Sequence, residues 1–216
     1  MIETFNFFGI LMRMTINGIV QVILFSIIPL VWWFFTARKS VNFFEWIGLK
    51  RPRFQDKGKL RIAIAAATLA FAVALVLIAQ GLLPQTNDLL WGLRTVQLGL
   101  FILLPIAVYA FLQTGLSEEI FFRGFLAKRL ISKFGFVAGN ITQALIFGFM
   151  HLALMILIGL ELGMLGNSIV FAIPMVFSLL SGYINEKIGN GSILPGWIMH
   201  STANFITAGL YVLAIT

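Results

Sequence analysis

The chain has 216 residues, of which 60% are hydrophobic, 14% aromatic and 11% charged, with a formal net charge of +7. A soluble domain is roughly a quarter charged, so this composition excludes a soluble enzyme, a disordered chain and a collagen-like fibre. The absence of cysteine excludes a disulfide framework, a cysteine nucleophile and a thiolate-held metal. A polytopic membrane protein remains, and the expected fold class is all-α: a transmembrane helix bundle in which each helix satisfies its own backbone in lipid.

A transmembrane helix needs about 20 mostly apolar residues. The first such segment is 15–36, closing on the run Leu30 to Phe35 as an interfacial aromatic belt. It is too long for a signal-peptide core and has no small-x-small cleavage site. The second is 62–83, ending before Pro84. The third is 95–114, with Pro105 as an expected kink. The fourth is 139–160, the fifth 167–185 with Pro174 inside it, and the last 192–213. With no internal repeat and no low-complexity linker, 1–216 reads as a single integral-membrane domain with a motif-bearing core over about 95–213.

The basic residues orient the bundle. Eight of the fifteen lie between Arg38 and Arg61. In a soluble protein such charge points to nucleic acid; in a membrane protein it marks a cytoplasmic loop, so no nucleic-acid partner is expected. The same charges would also favour contact with anionic lipid. The stretch 115–133 is apolar but carries Glu118, Glu119 and Arg123 within it and Lys128, Arg129 and Lys133 near its end. Continuing the third span through it puts these last three beside loop 38–61 and leaves only Arg13 and Arg94 outside. The expectation is therefore one long kinked helix over about 95–133, six crossings and both termini outside. A split into two helices with a re-entrant half is the alternative.

Ionisable groups inside lipid cost about 2.5–3.5 kcal/mol each on insertion scales and are functional candidates by default. Only Glu118, Glu119, Arg123, His151 and His200 lie well inside apolar segments, and the chain has no other histidine. At about 1.5 Å per residue, Glu118, His151, His200 and Asn204 all fall roughly 12–22 Å in from the cytoplasmic face. A polar cavity shared by three helices explains that agreement. Glu119 and Arg123 are four apart and can pair, whereas Glu118 is rotated about 100° away. One carboxylate is thus neutralised and one left for chemistry. His200 and Asn204 are again one turn apart. Taken singly, the Glu119–Arg123 pair can equally be a helix staple, a lone histidine a tie between helices, and Asn204 interhelical glue.

Glu118-Glu119-Ile120-Phe121-Phe122-Arg123-Gly124 fits EExxxR followed by Gly, Phe147 to His151 fits FxxxH, and His200 to Asn204 fits HxxxN. In this order, each on its own apolar helix, they resemble the CPBP family of CAAX proteases and bacteriocin-processing enzymes, also called the ABI family, over about 114–208. The resemblance implies an intramembrane glutamic endopeptidase. By motif position Glu118 would be the general base, holding a water with His151. His200 and Asn204 would stabilise the oxyanion, and Glu119 and Arg123 would support the site. The chemistry is coherent: peptide hydrolysis needs an activated water and donors for the developing oxyanion, and a poorly hydrated carboxylate is a stronger base.

The other intramembrane proteases fit less well. Asp56 and Asp88 are the only aspartates and lie in loops, no histidine is followed by Glu, and Gly191-Ser192 does not make a rhomboid-type motif. Two histidines and a glutamate can hold zinc, although they have no recognisable ligand spacing here, so the expected enzyme needs no cofactor. The rival readings are a non-catalytic membrane scaffold or immunity protein and a small transporter, which would call for an internal repeat. The expected substrate is a peptide or protein in or at the bilayer, lipidated or not, and the small size suits a prokaryotic cell membrane.

Overall fold

The computed structural model describes residues 7–53, 99–159 and 162–213, together with 58, 62, 65, 67 and 69. Every regular element among them is helical. In chain order these are α1 (Phe7–Thr36), the short α2 (Phe43–Trp46), α3 (Gly99–Phe134), α4 (Phe136–Leu157), α5 (Gly163–Ile188) and α6 (Leu194–Leu213). The expected span 62–83 lies almost wholly outside the described residues.

Helices α1, α3, α4 and α5 are long and apolar enough to cross a membrane. The sixth expected crossing, α6, has 20 residues, but His200, Ser201, Thr202 and Asn204 in its first half dilute its apolar character. Four of the six expected crossings therefore meet the length and composition requirement among the described residues.

The stretch 115–133 does not split: α3 runs unbroken through it as one long bent helix. It is, however, not a uniform α-helix. After a short α-helical piece, Leu103–Ala107, it widens to π-helical geometry over Val108–Leu116 and Glu119–Ala127 before returning to α over Lys128–Phe134. Pro105, which lacks an N–H, lies just before the first wide run. Within that run side chains compete for the backbone. The Thr114 hydroxyl bonds the Tyr109 and Ala110 carbonyls at 3.2 and 3.3 Å, and the Trp197 indole donates to the Phe111 carbonyl at 2.8 Å. The Ser117 hydroxyl bonds the carbonyls of Gln113 and Thr114. Inserted groups of this kind are a recognised cause of helix distortion, and π segments often occur at functional sites.

Helix α3 is the axis of the bundle. Ile10 and Met14 of α1, Ile102 and Ile106 of α3, and Ala208 and Val212 of α6 form one buried cluster at one end. Ile47, Ile120 and Ile193 form a second. The outward residues of α1, among them Ile16, Ile23 and Ile27, are exposed, as a lipid-facing surface requires. Small residues allow close approach. At Gly115 an added side chain would strike Ser201 of α6, and at Gly148 it would meet the Phe171 carbonyl of α5 at 2.7 Å. Between α4 and α5, Gln143 donates to the Ser178 carbonyl at 3.1 Å, Ser178 returns a bond to Gln143 Oε1 at 2.9 Å, and Asn140 donates to the Leu179 carbonyl at 3.0 Å. These bonds set the register of the α4–α5 hairpin and hence the heights of His151 and of the polar side chains that α5 offers to α3.

Candidate active site

Glu119 is fully buried, with 0% of its side chain exposed. A carboxylate taken out of water must be paired and hydrogen-bonded, and four groups from three helices do this. Arg123 Nη1 lies 3.3 Å from Oε1, one turn along α3. From α5, Ser181 Oγ donates to the carboxylate at 3.3 Å and Asn185 Nδ2 donates to Oε2 at 3.2 Å. From α6, His200 Nδ1 lies 3.5 Å from Oε1. The Asn185 amide is itself fixed, because the Gly196 N–H donates to its Oδ1 at 2.8 Å. Gly196 has no side chain to spare here: a Cβ would collide with Ser181 and Asn185.

Glu118 is in a different state. Its side chain is 13% exposed, and its buried Oε2 makes no hydrogen bond to the protein. The nearest ring nitrogen is His200 Nε2, 3.8 Å from that oxygen, beyond hydrogen-bond range. His200 thus lies between the two carboxylates, with Nδ1 towards Glu119 and Nε2 towards Glu118. His151 is held from its own helix, Nδ1 being 2.8 Å from the Phe147 carbonyl. With that nitrogen donating, Nε2 is left as an acceptor.

Phe147, the first residue of the FxxxH motif, is the apolar floor of the site. The Arg123 guanidinium stacks 4.2 Å from its ring centroid. The rings of His151 and His200 lie 4.5 and 6.1 Å away, and Phe122 meets it edge-on at 4.8 Å. Such a face both excludes water and holds a guanidinium.

The structure therefore brings Glu118, Glu119, Arg123, His151 and His200 together from α3, α4 and α6. Asn204 lies one turn beyond His200, where its Nδ2 donates to Thr114 Oγ1 at 2.9 Å. Thr114 can accept because its own proton goes to the α3 backbone. One Asn204 N–H is thereby used to aim the side chain, and the other is left to donate. Among the described residues no group of three or more His, Asp or Glu side chains is placed to hold a metal ion.

Sequence reasoning missed Ser181, Asn185 and Thr114. A signal for the first two was present: Ser178, Ser181 and Asn185 are spaced three and four apart in the fifth apolar span, which is one helical stripe. Asn185→Ala removes a donor to Glu119 and the acceptor for Gly196. It is expected to cost about 1–3 kcal/mol, the range for a buried partner left unsatisfied. Thermal unfolding in detergent measures this, and an unchanged melting temperature would show that Asn185 carries no such load.

Residues 100–206 match the protein family described as type II CAAX prenyl endopeptidase, Rce1-like. All seven defining residues of the three motifs lie inside the matched segment. No curated protein and no solved structure matches the chain.

Proposed function

The chain belongs to the family of Rce1-like type II CAAX prenyl endopeptidases and carries four helices apolar enough to span a bilayer, and from that premise we propose that it hydrolyses a peptide bond of a membrane-associated or lipidated peptide with a water activated by Glu118 and His151. The observation that supports this most is the division of labour between adjacent carboxylates. Glu119 is ion-paired with Arg123, lies 3.5 Å from His200 Nδ1 and accepts hydrogen bonds from Ser181 and Asn185, while Glu118 Oε2 has no protein hydrogen bond.

In the proposed reaction, water sits between the Glu118 carboxylate and His151 Nε2. Its oxygen attacks the carbonyl carbon, and its proton passes to Glu118. His200 and the second N–H of Asn204 donate to the carbonyl oxygen as it becomes an oxyanion. The C–N bond then breaks, and the proton on Glu118 passes to the departing amine. Glu119 keeps its charge throughout and serves to hold His200. The Phe147 and Phe177 rings beside His200 limit the water that reaches these groups, which strengthens each electrostatic contact.

The test is a panel of membrane-inserted and lipidated peptides presented to the purified protein in liposomes, with products read by mass spectrometry. Cleavage at one bond is expected. A folded protein that cleaves none of them would favour a non-catalytic scaffold. Asn204→Ala is expected to slow cleavage by about 10²–10³, the loss for one oxyanion donor, and an unchanged rate would remove Asn204 from the site. We further propose that loop 38–61 is cytoplasmic in a prokaryotic cell membrane. A cysteine introduced at Ser40, an exposed position in this Cys-free chain, should resist an impermeant thiol reagent on intact cells and react after lysis. Full labelling before lysis would reverse the orientation.

A further inference from the structure

At the end of α3 opposite Pro105, a second polar cluster is built from residues the peptidase chemistry does not use. Lys128 Nζ donates to Glu186 Oε1 at 2.6 Å and to the Gly191 carbonyl at 2.8 Å. Lys50 Nζ and the Glu186 carboxylate both lie within 4 Å of the point where a side chain would start at Gly191. The backbone that carries Lys50 is stapled in place: Ser192 Oγ donates to the Lys50 carbonyl at 2.6 Å, and the Ile193 N–H donates to the Gly48 carbonyl at 2.9 Å. Gly48 adopts φ +82° and lies against the Lys128 side chain, so the turn can be made only by glycine without strain. The Arg129 guanidinium stacks 4.0 Å above the Trp46 ring, and its buried Nε has no hydrogen-bond partner.

The charges do not balance. Three cations, Lys50, Lys128 and Arg129, share one carboxylate, Glu186, which Lys128 already occupies. Lys50 and Arg129 are both half-buried, and neither has an ion-pair partner among the described residues. A half-buried cation without an anion is costly, and two held on a stapled turn and an aromatic ring form a preorganised anion site. Its place decides the occupant. Lys128 and Arg129 end the apolar length of α3, Glu186 ends that of α5, and the neighbouring α2 exposes Phe44 to its surroundings. Aromatic side chains beside Lys and Arg at the end of apolar helices mark the headgroup level of a bilayer. The exposed Arg51 and Arg53 extend the same positive surface.

We propose that Lys50, Arg129 and Trp46 form a binding site for the phosphate of an anionic phospholipid headgroup. Arg129 offers a planar fork to the phosphate oxygens, Lys50 offers a second positive charge, and Trp46 holds the guanidinium flat at the membrane surface. The lipid would neutralise the excess charge and clamp the turn at 48–50 to the 189–193 turn, bracing the ends of α3 and α5. The proposal rests on no part of the peptidase reading.

The test uses the whole protein purified in detergent and titrated separately with phosphatidylglycerol, phosphatidylcholine of the same chains, and inorganic phosphate. Retained lipid is counted by native mass spectrometry and the melting temperature is followed in parallel. Wild type should retain phosphatidylglycerol and gain melting temperature from it, and from neither of the other two. The double variant Lys50→Gln with Arg129→Gln should bind phosphatidylglycerol about thirtyfold more weakly, from the loss of two surface cations, whereas Lys39→Gln should leave it unchanged. Should the double variant fail to fold, Arg129→Lys serves in its place, because it keeps the charge but loses the fork and the stack, and it should still weaken binding. Equal retention of both lipids would overturn the site, as would unweakened binding by the variants. A melting shift from inorganic phosphate equal to that from phosphatidylglycerol would make it a free-anion site and overturn the lipid assignment.

Discussion

Glu118→Gln is expected to lower peptide hydrolysis by about 10²–10⁴, the usual contribution of a general base, while the protein melts as wild type does. The amide keeps the size of the carboxyl but cannot take a proton from water. It should fold normally because Glu118 Oε2 makes no hydrogen bond to the protein, so no native hydrogen bond of that oxygen is lost. The nearest group, His200 Nε2 at 3.8 Å, retains its tie to Glu119 on the other side of the ring. His151→Ala should be nearly as damaging to the rate, since the same water loses its second anchor. Initial rates and melting curves on the same preparations separate these effects. A folded Glu118→Gln protein that cleaves at the wild-type rate would remove Glu118 from the base position.

Arg123→Ala is expected to cost about 3–5 kcal/mol of stability, the range for removing one member of a buried ion pair, and to lower activity with it. Arg123 is 1% exposed and its partner Glu119 0%, so neither charge can turn to water when the other is removed. Ser181 and Asn185 would still donate to Glu119, but neither carries a charge. The loss would spread, because the guanidinium also covers Phe147, and Phe147 supports both histidine rings. Arg123→Lys should fall between the two, since an ammonium keeps the charge without the planar stack. Unfolding in detergent with a chemical denaturant measures the change. An Arg123→Ala protein as stable as wild type would mean that Glu119 is compensated by its neutral donors alone.

The first variant changes Glu118 and the second the partner of its neighbour Glu119, and the contrast between a paired and an unpaired carboxylate was legible before any coordinates. An ionisable residue inside an apolar segment is conspicuous, and the four-residue step from Glu119 to Arg123 survives into the structure as an ion pair. The shared depth of Glu118, His151 and His200 was also readable, because rise per residue converts numbering into height. The site's walls were harder to read. Ser181 and Asn185 lie in a span whose mean character is apolar, and serine in such a span is usually glue between helices. Their role emerges only when α5 is set against α3.

The shape of α3 was legible in part. Charge placement favoured one continuous helix through 115–133, and α3 is one long bent helix over Gly99–Phe134. The π-helical widening over Val108–Leu116 and Glu119–Ala127 was not readable, because sequence periodicity assumes 3.6 residues per turn. Its causes include a partner from another helix, the Trp197 indole on the Phe111 carbonyl, which no local rule contains. The same holds for Asn204: its spacing from His200 was visible, but its aim depends on Thr114 of α3. Composition also oversimplified α6, whose His200 and Asn204 turn to α3 and which is less apolar than α1, α3, α4 and α5.

Activation of water by side chains alone is the central claim, and the most direct measurement is cleavage of a membrane-inserted peptide by the wild-type protein in liposomes, in heavy-oxygen water, with and without a metal chelator. The predicted result is a single new C-terminus carrying heavy oxygen, formed at a rate that the chelator leaves unchanged. Abolition of cleavage by the chelator, with restoration by added zinc, would contradict it and make Glu118, His151 and His200 candidates for metal ligands.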